Sequence, residues 1–308
     1  MHESKMVESS TEVIEDSESI TKVQAGHYAR TKRLLRTYPV FSVTVLLLLV
    51  LAAVTASWIA PFPERYGELR DRHAEPSIMG GEGGHLLGAD SVGRDIYTRL
   101  LFGARVSLII AVSTILIAGS IGTTLGLISG WYGGWIDETV MRLVDAMNAI
   151  PVILIALVLA VAVGPNFWLL LGILSIGLWP GFARQVRAET LSLKDRDYVG
   201  MAKVSGASTF RILYRHILPG LFSTVVVVAT NQVGTVILAE AGLSFLGVGV
   251  PPPTPSWGGM ISDGRLYLTE SWWVSAFPGL AIGLTVTALV FLGDWLRDRL
   301  DPRLRQLD

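Results

Sequence analysis

Three observations predict an all-α membrane protein with six transmembrane helices. The composition is too apolar for a soluble domain of this length, the charges gather in blocks, and the uncharged runs between the blocks have the length a bilayer demands. Of 308 residues, 51% are hydrophobic and 17% charged. Spanning a hydrocarbon core of ~30 Å takes about 20 apolar residues at ~1.5 Å each. Residues 40–60 form one such run and 106–136 a second. Residues 146–183 carry no charge, and Gly164-Pro165-Asn166 divides them into a third span and a fourth. Residues 217–239 and 271–293 complete the six.

In chain order, residues 1–38 form an acidic, Ser/Thr-rich leader (Glu3 to Glu18) whose composition predicts disorder. The first helix, 39–60, is longer than the apolar core of a signal peptide. It is followed by Ala60-Pro61-Phe62-Pro63, a poor cleavage site, so it is expected to stay in the mature chain. Residues 61–105 are expected as an extracytoplasmic loop, large for a bare connection. Within the second span Gly122, Gly126 and Gly130 form a ridge of small residues that lets another helix approach closely. Pro151, Pro180 and Pro278 are expected to bend spans three, four and six or to be tolerated where neighbours satisfy the freed carbonyls. Asp145 beside Arg142 is read as an interfacial pair.

Orientation follows from the basic residues. Arg30, Lys32, Arg33 and Arg36 precede span one; Arg184, Arg187, Lys194, Arg196, Lys203, Arg211 and Arg215 lie between spans four and five; Arg297, Arg299, Arg303 and Arg305 follow span six. These segments share one side, which the positive-inside rule makes cytoplasmic, so both termini are expected there. In the loop 61–105 the arginines are offset by Glu64, Glu68, Asp71, Glu75, Glu82, Asp90 and Asp95.

Several chemistries are excluded. The chain has no cysteine, and its 5 histidines lack metal-ligand spacing. Gly-Lys never occurs, so there is no Walker A loop, and any ATP that drives the protein must be bound by another chain. A stand-alone channel or secondary transporter is the weaker alternative, because no pair of ionisable residues falls at mid-bilayer to couple ions. An intramembrane hydrolase lacks a nucleophile and base at suitable depth.

The most informative segment is DYVGMAKVSGASTFRILYRHILPG, residues 197–220, a basic insert between two apolar runs. Asp197 can cap a short helix through Tyr198, Val199, Met201, Ala202 and Val204. Gly206 suits a left-handed C′ position, Ser208 can cap a second helix, and Pro219 can open span five. The residues leave two uses open: Tyr198, Val199, Met201 and Ala202 filling a groove on a partner, or an amphipathic loop lying on lipid headgroups. Glu240, near the outer end of span five, is the charge at membrane depth most in need of a reason. It is expected to line an outer gate or to accept backbone N–H groups of the re-entering Pro-rich loop.

The spacing of Ala202, Gly206 and Ile217-Leu218-Pro219 resembles the loop through which permease subunits of binding-protein-dependent ABC importers dock their ATPases. HLLGADSVGRDIYTRLLFGARVSL (85–108), AGLSFLGVGVPPPTPSWGGMI (241–261) and LGDWLRDRLDPR (292–303) are similar to the dipeptide and oligopeptide permease C-type group. The resemblance covers most of the chain from the first span onward. It implies a type I ABC importer permease fold, with an N-terminal helix appended to a five-helix core over 106–296, a cytoplasmic coupling loop at 184–219 and a cytoplasmic tail at 297–308. It also implies a non-catalytic subunit of the cell membrane that pairs with a homologous second permease, two ATPase subunits that bind the ATP and Mg, and an extracytoplasmic substrate-binding protein. No nucleic-acid partner is implied. The coupling residues it marks are Asp197, Tyr198, Val199, Met201, Ala202, Lys203, Gly206, Ile217, Leu218 and Pro219. Members of the group carry dipeptides, longer peptides, nickel complexes or oligosaccharides. One departure stands out: the group usually has Glu and Ala where this chain has Gly200 and Met201.

Overall fold

A computed structural model describes residues 39–300. The chain divides into two compact units, 1–41 and 42–308, and all that follows concerns the second apart from the first turn of its opening helix. The leader and the residues after Leu300 lie outside the described residues.

The architecture is helical, with no strand among the described residues beyond an isolated bridge between Ala89 and Asp95. Five helices are long and apolar enough to cross a membrane: α1 (Val40–Ile59), α2 (Ile96–Tyr132), α5 (Phe167–Lys194), α7 (Thr209–Phe245) and α9 (Trp273–Leu300). Between α2 and α5 lie α3 (Gly134–Ala149) and α4 (Val152–Val163), which make a sixth crossing only as a pair bent by 75°. Two short helices complete the fold, α6 (Asp197–Val204) and α8 (Trp257–Gly264).

The expected third span is the one most altered. A helix started at 146 would have run straight to Gly164. Instead Pro151 takes the N-cap position of α4 with extended backbone, and Ile150 before it is extended too, as a residue preceding proline prefers. That leaves α4 with 12 residues, about 18 Å at ~1.5 Å each, which is short of the bilayer core. The preceding α3 is amphipathic, burying Val144 while Trp135, Glu138 and Arg142 face outward. Asp145 pairs with Arg184 of α5 at 2.7 Å rather than with Arg142, whose partner is Glu138 one turn back. Glu138 and Asp145 stand four and three positions from Arg142, so both are within helical reach, and the pairing is decided by Arg184 of α5 taking Asp145.

The turn at Gly164–Asn166 forms as expected. Gly164 has φ +83, and the Asn166 side chain caps α5 by accepting the Leu169 N–H at 2.9 Å. Helix α2 begins at Ile96, ahead of the expected 106, because Asp95 caps it by accepting the Thr98 N–H at 2.7 Å. Arg99 in these first turns is buried against Asp90 of the segment before the helix. At its other end α2 packs along α5 through the small-residue ridge. A Cβ at Gly122 would lie 2.5 Å from the Trp179 carbonyl oxygen, and one at Gly126 2.5 Å from that of Ala183. At Gly130 it would meet Thr190 Cβ at 2.8 Å. The ridge is therefore a packing device, with Phe182 and Ala183 fully buried against it. Pro180 and Pro278 are both accommodated inside long helices.

Candidate functional site

Two regions carry chemistry beyond helix packing, the insert and the mouth at the Ile96 end of α2, which the basic residues lead one to expect on the outer side. In the insert, α5 and α7 extend so far that the expected loop 184–219 shrinks to the segment between Lys194 and Thr209, with α6 inside it. Helix, glycine turn and helix are all present. Gly206 has φ +77 and donates its N–H to the Lys203 carbonyl at 3.0 Å, while Ala207 closes back on Ala202 at 3.0 Å. The Ser208 side chain accepts the Arg211 N–H at 3.4 Å. Two details differ from expectation. The N-cap of α6 is Arg196, so Asp197 stands in the first turn, where its charge complements the helix dipole without a capping bond. Pro219 stands in the first turn of the α-helical stretch Leu218–Phe245, as expected, but that stretch continues a helix that starts at Thr209 and widens to a π turn over Leu213–Ile217, just ahead of the proline that lacks an N–H.

The insert is held by a small apolar cluster of Val199, Ile212, Ile217, Leu221, Trp131 of α2 and Val186 of α5, with Ala202 packed against it. Cations complete the seat. Lys194 donates to the Trp131 carbonyl at 2.5 Å, and Lys203 lies 4.9 Å over the Trp131 ring. Val199 is fully buried and faces its own chain, while Ala202 packs against the same cluster and stays partly exposed. The surface α6 does present is Met201, 65% exposed, and Val204, 91% exposed, with Tyr198 beside them. Phe210 and Tyr214, stacked at 6.1 Å, are also exposed. Sequence reasoning missed Val204 and Phe210, although both lie on the far side of the turns whose inward residues close the cluster.

Next to this seat, Arg187 of α5 grips Asp137 of α3 with Nε and Nη2, each at 2.5 Å, and Ser129 of α2 donates to the same carboxylate. The bent pair is thereby fastened to the helix that leads into α6.

The outer mouth was almost invisible in the sequence. Segment 60–95 folds back on the ends of α2, α8 and α9. His85 is buried, its Nδ1 2.9 Å from Asp95 and its Nε2 3.3 Å from Asp71. Trp273 donates to the Ala89 carbonyl at 3.2 Å, His73 meets Ser271 at 2.8 Å, and Trp257 of α8 donates to the Leu100 carbonyl at 3.0 Å. Trp257 fits because Gly103 leaves room, since a Cβ there would sit 2.8 Å from its ring. At the centre, Asp90 accepts Arg94 Nε at 2.6 Å and the N–H groups of Val92 and Arg94 at 2.9 Å. Asp263 of α8 receives Arg94 at 3.2 Å and lies 3.5 Å from Arg99.

Glu240 is buried at the junction of α2, α7 and α8. Its carboxylate accepts the Ser244 hydroxyl at 2.7 Å and the Ser107 hydroxyl at 3.3 Å, and Ser256 contacts Ser244 at 3.4 Å. The expected acceptance of backbone N–H groups from the Pro-rich loop is replaced by hydroxyls. The loop's own capping residue, Ser256, bonds the Gly259 N–H of α8 at 3.2 Å. Among the described residues no group of histidines and carboxylates could hold a metal ion.

Comparison with known proteins fits this arrangement. Residues 122–306 match the family described as binding-protein-dependent transport system inner membrane component. A putative peptide transport system permease protein of Brucella suis biovar 1 is 42% identical over 261 residues, 85% of this chain and 86% of the relative. The glutathione transport system permease protein GsiD of Escherichia coli O157:H7 is 43% identical over 260 residues, 84% of each chain. An inward-facing structure of the MetNI methionine ABC transporter superposes with a TM-score of 0.55 at 20% identity, covering 66% of this chain and 96% of that one, a likeness of fold. The chain belongs to the binding-protein-dependent transport permease family: it is a multi-pass membrane subunit of an ABC importer.

Proposed function

We propose that this permease carries peptides and takes its driving force from two ATPase subunits docked on α6, in company with a second permease subunit and an extracytoplasmic binding protein. ATP and its Mg belong to those ATPases, and this chain does no catalysis. The observation that carries the docking assignment is the exposed apolar surface of Met201 and Val204, displayed by a helix whose other side is locked onto α2, α5 and α7. Exposed Met and Val on a short, seated helix suit insertion into a groove, and the seat transmits motion of that helix to three long helices at once. A loop resting on headgroups has no need of such a seat. The peptide assignment is supported by the names of the relatives and by the group motifs at 85–108 and 241–261. Both termini are assigned to the cytoplasm by the basic residues that flank α1 and α9.

The cycle is alternating access. ATP binding closes the ATPases, α6 moves with them, and the helices behind it rock about the pathway between the two permeases. Bidentate Arg187 and the Trp131 seat are the links through which α6 drives α5, α3 and α2.

Val204→Glu tests the docking assignment, because it places an unpaired charge in the groove while touching nothing in this chain. ATPase subunits co-isolated with the permease should fall at least tenfold with unchanged permease yield. Normal recovery would remove α6 from the interface. Mass spectrometry of ligands carried by the co-purified binding protein tests the substrate, and anything other than peptides sinks that part.

A further inference from the structure

Arg99 is a buried guanidinium with unfilled hydrogen-bonding capacity. It lies in the second turn of α2, 3% exposed, and its Nε and Nη1 have no hydrogen-bond partner among the described residues. Its two ion pairs are long, 3.8 Å to Asp90 and 3.5 Å to Asp263. Those carboxylates are already engaged. Asp90 is taken by Arg94 and two backbone N–H groups, and Asp263 by Arg94 at 3.2 Å. Buried arginine ordinarily has its donors satisfied, and leaving them empty is costly, so such a side chain calls for an acceptor from outside.

The space for one adjoins it. Arg99 lines a cleft of about 150 Å³ whose other walls include Pro165, Ser244, Ser256 and Asp263. Whole small-molecule ligands occupy pockets of about 300–1,000 Å³, so this cleft takes one end of a ligand. Of the hydroxyls on its walls, Ser244, Ser256 and Ser262 already donate to Glu240, Ser244 and the Phe245 carbonyl, which leaves Thr254 to donate to a ligand, while Pro251 and Pro252 stiffen the rim. The Nη1–Nη2 edge of Arg99 is a planar pair of donors, Nη1 open and Nη2 only 3.5 Å from Asp263, and such an edge matches a carboxylate, which accepts two parallel bonds from guanidinium.

We propose that Arg99 and this cleft form a subsite for the C-terminal carboxylate of the substrate as it enters from the outer side. The subsite rests on the peptide reading above. A second source of the same chemistry is an acidic side chain of the docked binding protein, and the experiment separates the two.

The test uses the complete importer in proteoliposomes, with a randomised tripeptide library supplied as free acids or as C-terminal amides. Each form is first loaded to equal occupancy on the binding protein, so that protein's own preference drops out. Import is quantified by mass spectrometry of the vesicle contents. In Arg99→Gln, import of free acids should fall at least tenfold and import of amides should stay within twofold of wild type. Arg99→Lys, which keeps the charge and loses the fork, should fall between. Equal slowing of both forms in Arg99→Gln, with weakened capture of the binding protein by the vesicles, assigns Arg99 to docking and overturns the proposal. Equal slowing with normal capture makes Arg99 a structural residue, and no slowing in an assembled complex also overturns it. If wild type imports neither form, the peptide reading itself fails.

Discussion

The outer mouth and the insert, as the proposed orientation has them, are fixed by opposite means. Outside, buried charges and indole N–H groups join segments far apart in sequence: Arg94 to Asp263 across 169 positions, Trp273 to Ala89 across 184 and His73 to Ser271 across 198. Inside, the seat of α6 draws Val199, Ile212, Ile217 and Leu221 from one short stretch, adds Trp131 and Val186, and turns Val204 and Met201 outward. Apart from the open donors of Arg99, the outer network is satisfied within this chain, and its loss should unmake the fold. The insert spends little of its apolar surface at home, so its loss should unmake an assembly. Stability and coupling are therefore separable by region.

The strongest way to break that comparison is Asp90→Ala. It strips the counter-charge from Arg94 and Arg99 and orphans two N–H groups in a buried place, and removing one partner of a buried pair costs about 3–5 kcal/mol. The folded yield and the thermal midpoint in detergent should fall steeply. A wild-type midpoint would mean that the outer network does not hold the fold and that the division by region is wrong.

Glu240 sharpens the boundary between the two roles. Glu240→Ala removes the acceptor shared by Ser107 and Ser244 and should cost about 1–3 kcal/mol, while Glu240→Gln keeps the shape and one acceptor and should cost less. The expected readout is a lower melting point for alanine with basal ATP hydrolysis per assembled complex unchanged. A raised basal rate at wild-type stability would instead make this carboxylate part of a moving gate.

What could be read in advance divides along the same line. The turn at Gly164, the packing ridge of Gly122, Gly126 and Gly130, and the left-handed Gly206 are local consequences of residue type, and the helical periods carry the rest. The break at Pro151 was signalled by the proline. Its effect, converting a span into a bent pair, depends on α3 being amphipathic and tied to Arg187 fifty positions away. Asp90, Arg94, Arg99 and Asp263 looked like ordinary loop charges because their meaning lies in partners that only the fold brings together. The orientation of α6 was misjudged for a related reason: Val199 and Met201 are equally apolar, and only Trp131 and Val186 decide which faces inward.

Gly206→Val acts on the insert alone. A left-handed φ costs an ordinary residue about 1–2 kcal/mol, and more for a β-branched one, while no neighbour crowds the position. Import per ATP hydrolysed should drop several-fold, with the thermal midpoint near wild type. Asn, which tolerates this backbone, should retain most coupling. A Val variant that unfolds as badly as Asp90→Ala would erase the distinction between the regions.

The smallest and most discriminating change is Gly200→Ala. Gly200 lies mid-helix in α6, between the buried Val199 and the exposed Met201, where the family's group usually has Glu. A Cβ there meets nothing within 4 Å, so the substitution brings no clash. Glycine in a helix interior is less favourable than alanine by about 0.8–1.0 kcal/mol, and α6 is already formed and seated in the free permease, so alanine should stabilise the permease itself. The expected result is a slightly higher thermal midpoint of the permease, with capture of the ATPase subunits unchanged. Gly200→Glu should match alanine in helix order and differ from it only through its charge. If Glu exceeds Ala, the ATPase surface presents a cation opposite position 200; if Glu falls below Ala, that surface has no place for a carboxylate there. Should Gly200→Ala weaken capture, the helix must flex at this glycine to dock, and the picture of α6 as a rigid, seated lever is wrong.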